Sequence, residues 1–256
     1  MLSLVAFVMS GCMKDDNSDG NNPPVAIQLD SFPLTIGHSW KFHTEVRLSD
    51  SVGVVSQFDQ FDNYWTVISD TLINGVLSSK IAQLDSNYDG TTHLAYSYYA
   101  NKTEGFYGMA YLNMGSMFVL RSTSNAEVLL NSYLQFLAPA NVDSLFIPDS
   151  SLWFLKFPTA LNDTWHAVKY GTSGSYYQTR KYENYQTFTT SAGTFNCLKV
   201  KIYFEDNGQP DTGSPTFYQY FGTKGLIAET LFAQIVFADG STRILNRTTK
   251  LVQVNF

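Results

Sequence analysis

The thiol of Cys12 is the group best placed to do chemistry in this 256-residue chain. An apolar run from Leu2 to Val8 leads to small Ser10 and Gly11 directly before it, the layout of a bacterial export signal that ends in a lipoprotein cleavage site. That reaction requires a thiol: the sulfur takes a diacylglycerol, and the amine freed by cleavage takes a third acyl chain. Each buried CH₂ contributes about 0.8 kcal/mol, so several chains anchor a protein stably. Two features depart from the usual signal: no Lys or Arg precedes the run, and Met9 stands where Leu is preferred. A buried strand or helix over Leu2 to Cys12 would abut the acidic stretch Asp15 to Gly20, an awkward neighbour for a core element. Residues 1–11 are therefore expected to be a signal peptide outside the fold. With Cys12 lipidated, Cys197 has no intramolecular partner. It sits in the strand-like segment Thr194 to Val200 with no His nearby, and reads as a small buried hydrophobe rather than a nucleophile.

A second constellation is Asp85-Ser86-Asn87-Tyr88-Asp89-Gly90. Oxygens at alternate positions followed by Gly fit the first half of a calcium loop, with Asp85, Asn87 and Asp89 as candidate ligands. Tyr96 occupies the twelfth position, where a bidentate Glu belongs, so the EF-hand reading fails. What remains is a looser calcium turn or an ordinary Asp-Gly hairpin, and the second is the commoner use of these residues. The histidines, His38, His43, His93 and His166, show no paired ligand spacing, although His38 and His166 both adjoin a turn and a Trp and could share a site. Asp59 with Asp62, or Glu205 with Asp206, could do acid–base work of the glycosidase kind; solvated loop acids are the commoner case. No HExxH, GxSxG, phosphate-loop or dinucleotide motif occurs. The expectation is no cofactor, with calcium as the weak exception.

Those residues need elements to position them, and the elements are strands. Trp40, Phe42, Thr44, Val46 and Leu48 alternate with Lys41, His43, Glu45 and Arg47, a period of two that turns one face inward. Tyr64 to Asp70 and Val76 to Leu84 flank Asn74-Gly75, a strong two-residue hairpin signal. Further strands are expected at 93–100, 104–113, 117–122, 165–170, 176–190, 194–206, 216–222, 225–238 and 242–254, several with an internal turn. One helix is expected: Ser124 and Glu127 form a capping box, and Ala126, Leu129, Leu130, Tyr133, Leu134 and Leu137 follow at helical spacing until Pro139. Phe32-Pro33 precedes Trp40 by the same interval as Phe157-Pro158 precedes Trp165, which suggests two similar halves. The fold class is mainly β: a large curved antiparallel sheet or incomplete barrel around one helix, as in lipoprotein carriers, with two packed antiparallel sheets as the alternative. Residues 12–31, with their Asn-rich and Pro23-Pro24 composition, read as an acidic tether, and residues 32–256 as a single domain.

Composition limits the partners. The chain is 15% charged against roughly 25% for an average globular domain, carries a formal charge of -6 and has no long basic run, so nucleic acid is not expected as a partner. Its 16 Tyr, 19 Phe and 4 Trp could stack on sugar rings or line an apolar cavity, with cross-strand packing as the plainer use. Tyr96, Tyr98, Tyr99 and Tyr176, Tyr177, Tyr182, Tyr185 are the runs that raise the question.

Cys12-Met13-Lys14-Asp15-Asp16 resembles the surface-export signal of Bacteroidetes lipoproteins, in which Lys14, Asp15 and Asp16 would follow the lipidated cysteine. Asp50-Ser51-Val52, Asp70-Thr71-Leu72 and Asp143-Ser144-Leu145 are similar to the O-glycosylation sequon of that phylum, a triplet that also arises by chance. Over much of the chain the sequence is similar to an uncharacterised group of Bacteroidetes lipoproteins, through phrases such as Gly37-His38-Ser39-Trp40, Ser191 to Cys197, and Phe221 to Ile227. The resemblance implies a lipid-anchored protein of the outer membrane, at the cell surface, with a β-rich fold and no established activity. The resulting expectation is a non-enzymatic binding module for a glycan or an apolar ligand. A glycan-acting hydrolase and a structural envelope component are the alternatives.

Overall fold

In the computed structural model, residues 24–86, 92–112, 145, 151–170, 176–212, 214–236 and 241–256 are described, and among them the regular elements are all strands. The first half runs β1 (Ser39–Asp50), β2 (Val55–Ile73), β3 (Val76–Ser86), β4 (Thr92–Lys102), β5 (Gly105–Leu112) and β6 (Leu152–Lys156). The second runs β7 (Thr164–Tyr170), β8 (Tyr176–Thr190), β9 (Gly193–Asp206), the two-residue β10 (Gln209–Pro210), β11 (Thr216–Gly222), β12 (Gly225–Val236) and β13 (Thr242–Val254). The alternation read from the sequence is the alternation of burial: Trp40, Phe42, Thr44 and Val46 are buried while the residues between them are not. Asn74 and Gly75 both take positive φ, 50° and 78°, which closes the β2–β3 hairpin as a type I′ turn. Where internal turns were expected in the longest strands, the ladder instead absorbs one extra residue. β8, for example, shifts register between Tyr182 and Asn184 and continues. The strand expected at 117–122 and the helix expected at 124–137 lie outside the described residues.

Every ladder is antiparallel, and the strand order β6-β5-β4-β3-β2-β1-β13-β12-β11-β9-β8-β7 joins the two halves through β1 and β13. The sheet is thereby curled into a barrel closed everywhere except between β6 and β7, which come close without a ladder. An open edge is a liability because it leaves backbone groups unpaired. Here side chains serve that edge of β6. Trp165 Nε1–H donates to the Trp153 carbonyl at 3.0 Å, and an Arg180 Nη1–H donates to the Phe154 carbonyl at 3.2 Å. The Tyr182 hydroxyl donates to the Lys156 carbonyl at 2.7 Å and accepts the Lys156 N–H at 2.8 Å.

The main core fills one end of the barrel, around Trp40, Phe106, Leu155, Trp165, Tyr182 and Leu198. It also includes Leu29, which is buried and whose N–H reaches the Thr159 hydroxyl at 3.4 Å, so the packed chain starts ahead of the boundary expected at residue 32. Phe32 stacks on Phe106 with centroids 4.3 Å apart. It also lies over Gly225, where a Cβ would meet the Phe32 ring at 2.8 Å and φ is +91°, so a side chain is excluded there twice over.

The two Pro-containing segments carry the same hydrogen bonds. Gly37 N–H donates to the Val67 carbonyl, Val67 N–H to the His38 carbonyl and His38 N–H to the Thr35 carbonyl. In the second half Asn162, Tyr182, Asp163 and Ala160 repeat that set, and Gly37 and Asn162 both take positive φ. The bulge that follows Val67 on β2 also has its counterpart after Tyr182 on β8.

Candidate functional site

Alternation along the strands sends an uninterrupted series of side chains into the barrel, and not all of them are apolar. Inward positions of β8, β11, β12 and β13 hold Arg180, Gln219, Glu229 and Arg247, of which Gln219 and Glu229 stand between apolar neighbours two residues away on each side. Arg180 donates to the Gln219 carbonyl oxygen at 2.9 Å, and Gln219 donates from its amide to Glu229 at 2.7 Å. The other Glu229 oxygen accepts from Arg247 at 3.1 Å. Gln178, one turn of alternation from Arg180, accepts from its Nε at 3.4 Å and Nη2 at 3.3 Å. The Arg180 guanidinium also lies 4.8 Å from the centre of the Phe154 ring, an attractive placement for a delocalised cation. Arg180 is only 3% exposed, and burying a guanidinium is tolerable only when it is held this fully.

These groups border a cavity of about 160 Å³ whose remaining wall is largely aromatic, with Phe42, Phe61, Trp65, Phe204 and Phe217 among its residues. Two buried donors of the wall, Arg247 Nε–H and Trp65 Nε1–H, meet no hydrogen-bond acceptor among the described residues. A second polar row continues around the interior. The Thr249 hydroxyl donates to Thr44, Thr44 to the Asn63 carbonyl oxygen, each at 2.9 Å, and the Asn63 amide donates to the Asp85 carboxyl. Burial pushes the Asp85 carboxyl above the ordinary carboxylate range, against the opposing effects of the Asn63 hydrogen bond and the His93 and Arg247 charges.

The sequence candidates are dispersed by this architecture. Asp85 is not in a turn: β3 runs on to Ser86, and the Asp85 carboxyl is buried against Asn63 on the interior side. Asn87 and Asp89, with Cys12, Lys14, Asp15 and Asp16, lie outside the described residues. Among the described residues no group of three or more His, Cys, Asp or Glu side chains could hold a metal ion. His38 and His166 sit on opposite sides of the ring, one stacked on Phe256 at 3.9 Å and the other on Tyr177 at 4.3 Å, so they form no shared site. His43 and Lys41 both contact Asp62, at 2.9 and 2.8 Å. Asp59 and Asp62 are three apart on β2, and Glu205 and Asp206 adjacent on β9, so each pair is split between the two faces of the sheet. Cys197 is fully buried, its thiol pushed up to about 12 by desolvation, which leaves an inert hydrophobe.

The aromatic runs serve mainly in packing, although Tyr99 also lines the cavity. Tyr98 and Tyr99 are buried, Lys80 caps the Tyr96 ring at 4.0 Å, and Tyr182 closes the seam. Tyr176 is held by Asp211 at 2.9 Å. The residues that sequence reasoning missed are Arg180, Gln219, Glu229 and Arg247. A signal was present: Phe217-x-Gln219-x-Phe221 and Ile227-x-Glu229-x-Leu231 place a polar residue in the apolar parity of a strand, where only an interior partner can satisfy it.

No family model and no curated protein matches the sequence. Solved structures do. The chain is similar to a crystal structure from Bacteroides fragilis NCTC 9343 described as an exported protein with YmcC-like fold, at 14% identity and TM-score 0.44, over 88% of this chain and 98% of that one. It is also similar to a structure described as a lipoprotein from Parabacteroides distasonis ATCC 8503, at 16% identity and TM-score 0.41, over 88% and 97%.

Proposed function

We propose that the protein is a lipid-anchored protein of the outer membrane, held at the cell surface through Cys12, and that its barrel binds an apolar or amphipathic small molecule. The observation that carries the binding half is the internal cavity of about 160 Å³ with its aromatic wall and few convergent polar groups, the usual composition of a ligand site. A glycan is a weaker fit, because, of the Tyr runs that would stack on sugar rings, only Tyr99 is among the described residues of the cavity wall, while Tyr98 is buried in packing and Tyr182 serves the seam. Paired-carboxylate hydrolysis is disfavoured too: among the described lining residues the carboxylate is Glu229, and both its oxygens already accept hydrogen bonds. The anchoring half rests on the residues around Cys12.

The binding reading is tested with the full-length Cys12→Ala chain, which needs no detergent. A ligand that binds the folded state raises the melting temperature. Saturating 1-octanol is expected to raise it by several degrees in this protein and not in Ile202→Phe, where the added ring takes up the space beside Arg180 and Phe217. No shift in either protein, or equal shifts in both, would exclude binding in the lumen.

A further inference from the structure

The cavity wall is richer in donors and positive charge than in acceptors. Its charged residues, among those described, are Arg180, Arg247 and Glu229: two guanidinium groups against one carboxylate. Glu229 is spent, one oxygen on Gln219 and the other on Arg247. Arg180 faces neutral acceptors in Gln178, Gln219 and the Phe154 carbonyl. Among the described residues, the Arg247 Nε–H and the Trp65 indole N–H are buried without an acceptor. A buried donor without a partner costs free energy comparable to a lost hydrogen bond, more when it is charged. The nearby Asp85 carboxyl is engaged by Asn63, and the Arg247 charge favours its ionised form against the effect of burial.

Resting on the reading of the barrel as a binding protein, we propose that the lumen selects a small organic monocarboxylate, its head accepting from Arg247 Nε–H in the field of Arg180 and its apolar body against Phe42, Phe61 and Phe217. Acceptor oxygens on the ligand supply what the Arg247 Nε–H and Trp65 Nε1–H lack among the described residues, and a carboxylate brings them with the charge opposite to that of the guanidinium. The space is close to the roughly 150 Å³ that holds a benzene-sized molecule, which limits the body to about six to eight carbons.

The test is isothermal titration of the full-length Cys12→Ala chain with octanoate and with 1-octanol, matched in length and differing in the head. Octanoate is expected to bind at least tenfold more tightly, the worth of a hydrogen bond to a charged group. In Arg247→Gln the two affinities are expected to converge to within about threefold, chiefly by loss of octanoate binding. If Arg247→Gln does not fold, Arg247→Lys serves: it keeps the charge without the Nε–H at that position, and octanoate should weaken while octanol holds. Equal binding of both ligands by the parent protein would overturn the carboxylate preference and leave the binding reading standing. Binding of neither by a folded parent protein would overturn both.

Discussion

At the scale of single residues, the barrel interior depends on polar groups that are legible only once their register is known. Asp85 shows why. Asp-x-Asn-x-Asp-Gly has the spacing of a cation loop, and the same residues are the common currency of turns, so the sequence pattern cannot distinguish either from a strand that simply ends on Asp85. What decides is Asn63 directly across the β2–β3 ladder, a neighbour 22 positions away that no local pattern reveals. The consequence is measurable. Because burial raises the folded-state pKa of Asp85 above its ordinary 3.8, the folded protein holds that proton more tightly than the unfolded chain. Its contribution to stability is therefore full below about pH 4 and is lost as the pH climbs through the raised value. Asp85→Asn keeps the acceptor for Asn63 and removes the titration. Relative to the parent, the variant should gain stability in urea unfolding as the pH rises from about 4 through the raised value. Parallel pH profiles for the two proteins would contradict a raised Asp85.

At the scale of elements, the strands and their curling into an incomplete barrel were readable, and the groups that serve its open seam were not. Period-two alternation placed β1, the β2–β3 hairpin and most of the second half because one face of each strand is buried and the other wet. β6 escaped notice: Leu152 to Lys156 is short, apolar and unpunctuated, with no alternation to announce it. Its role emerges only from what reaches its free edge, above all Tyr182. That single hydroxyl serves as donor and acceptor to one residue's backbone, so Tyr182→Phe leaves a partly buried N–H and C=O without their partner while keeping the ring. We expect a loss of about 2–3 kcal/mol in urea unfolding, against the 0.5–1.5 kcal/mol typical of one hydrogen bond. A cost under about 0.5 kcal/mol would show that water replaces the hydroxyl and that the edge is not sealed by side chains.

At the scale of the whole molecule, the proposed orientation turns on residues ahead of the barrel. On that proposal Lys14, Asp15 and Asp16 directly follow a lipidated Cys12, and since isolated charges are screened within about 8 Å at physiological salt, recognition by sorting machinery is their more economical role. Externally added protease should remove the domain from intact cells. Replacing the three residues by Ala should keep acyl labelling but protect the domain, and equal sensitivity in both strains would refute the export signal. Cys12→Ala should abolish the labelling itself. The barrel's topology adds something about load. A pull on the proposed anchor would first meet the packed segment ahead of β1, where the Leu29 N–H reaches the Thr159 hydroxyl and Phe32 stacks on Phe106, and only then β1, which is laddered to β2 on one side and β13 on the other through 11 residue pairs each. The weak line of the molecule, the unladdered seam between β6 and β7, lies away from it around the ring. Shear along β1 must break both ladders together, whereas a tether entering at the seam would peel strands one bond at a time. On the proposed anchor, load that passes the Leu29 and Phe32 contacts would reach the sheet at a strand held on both sides.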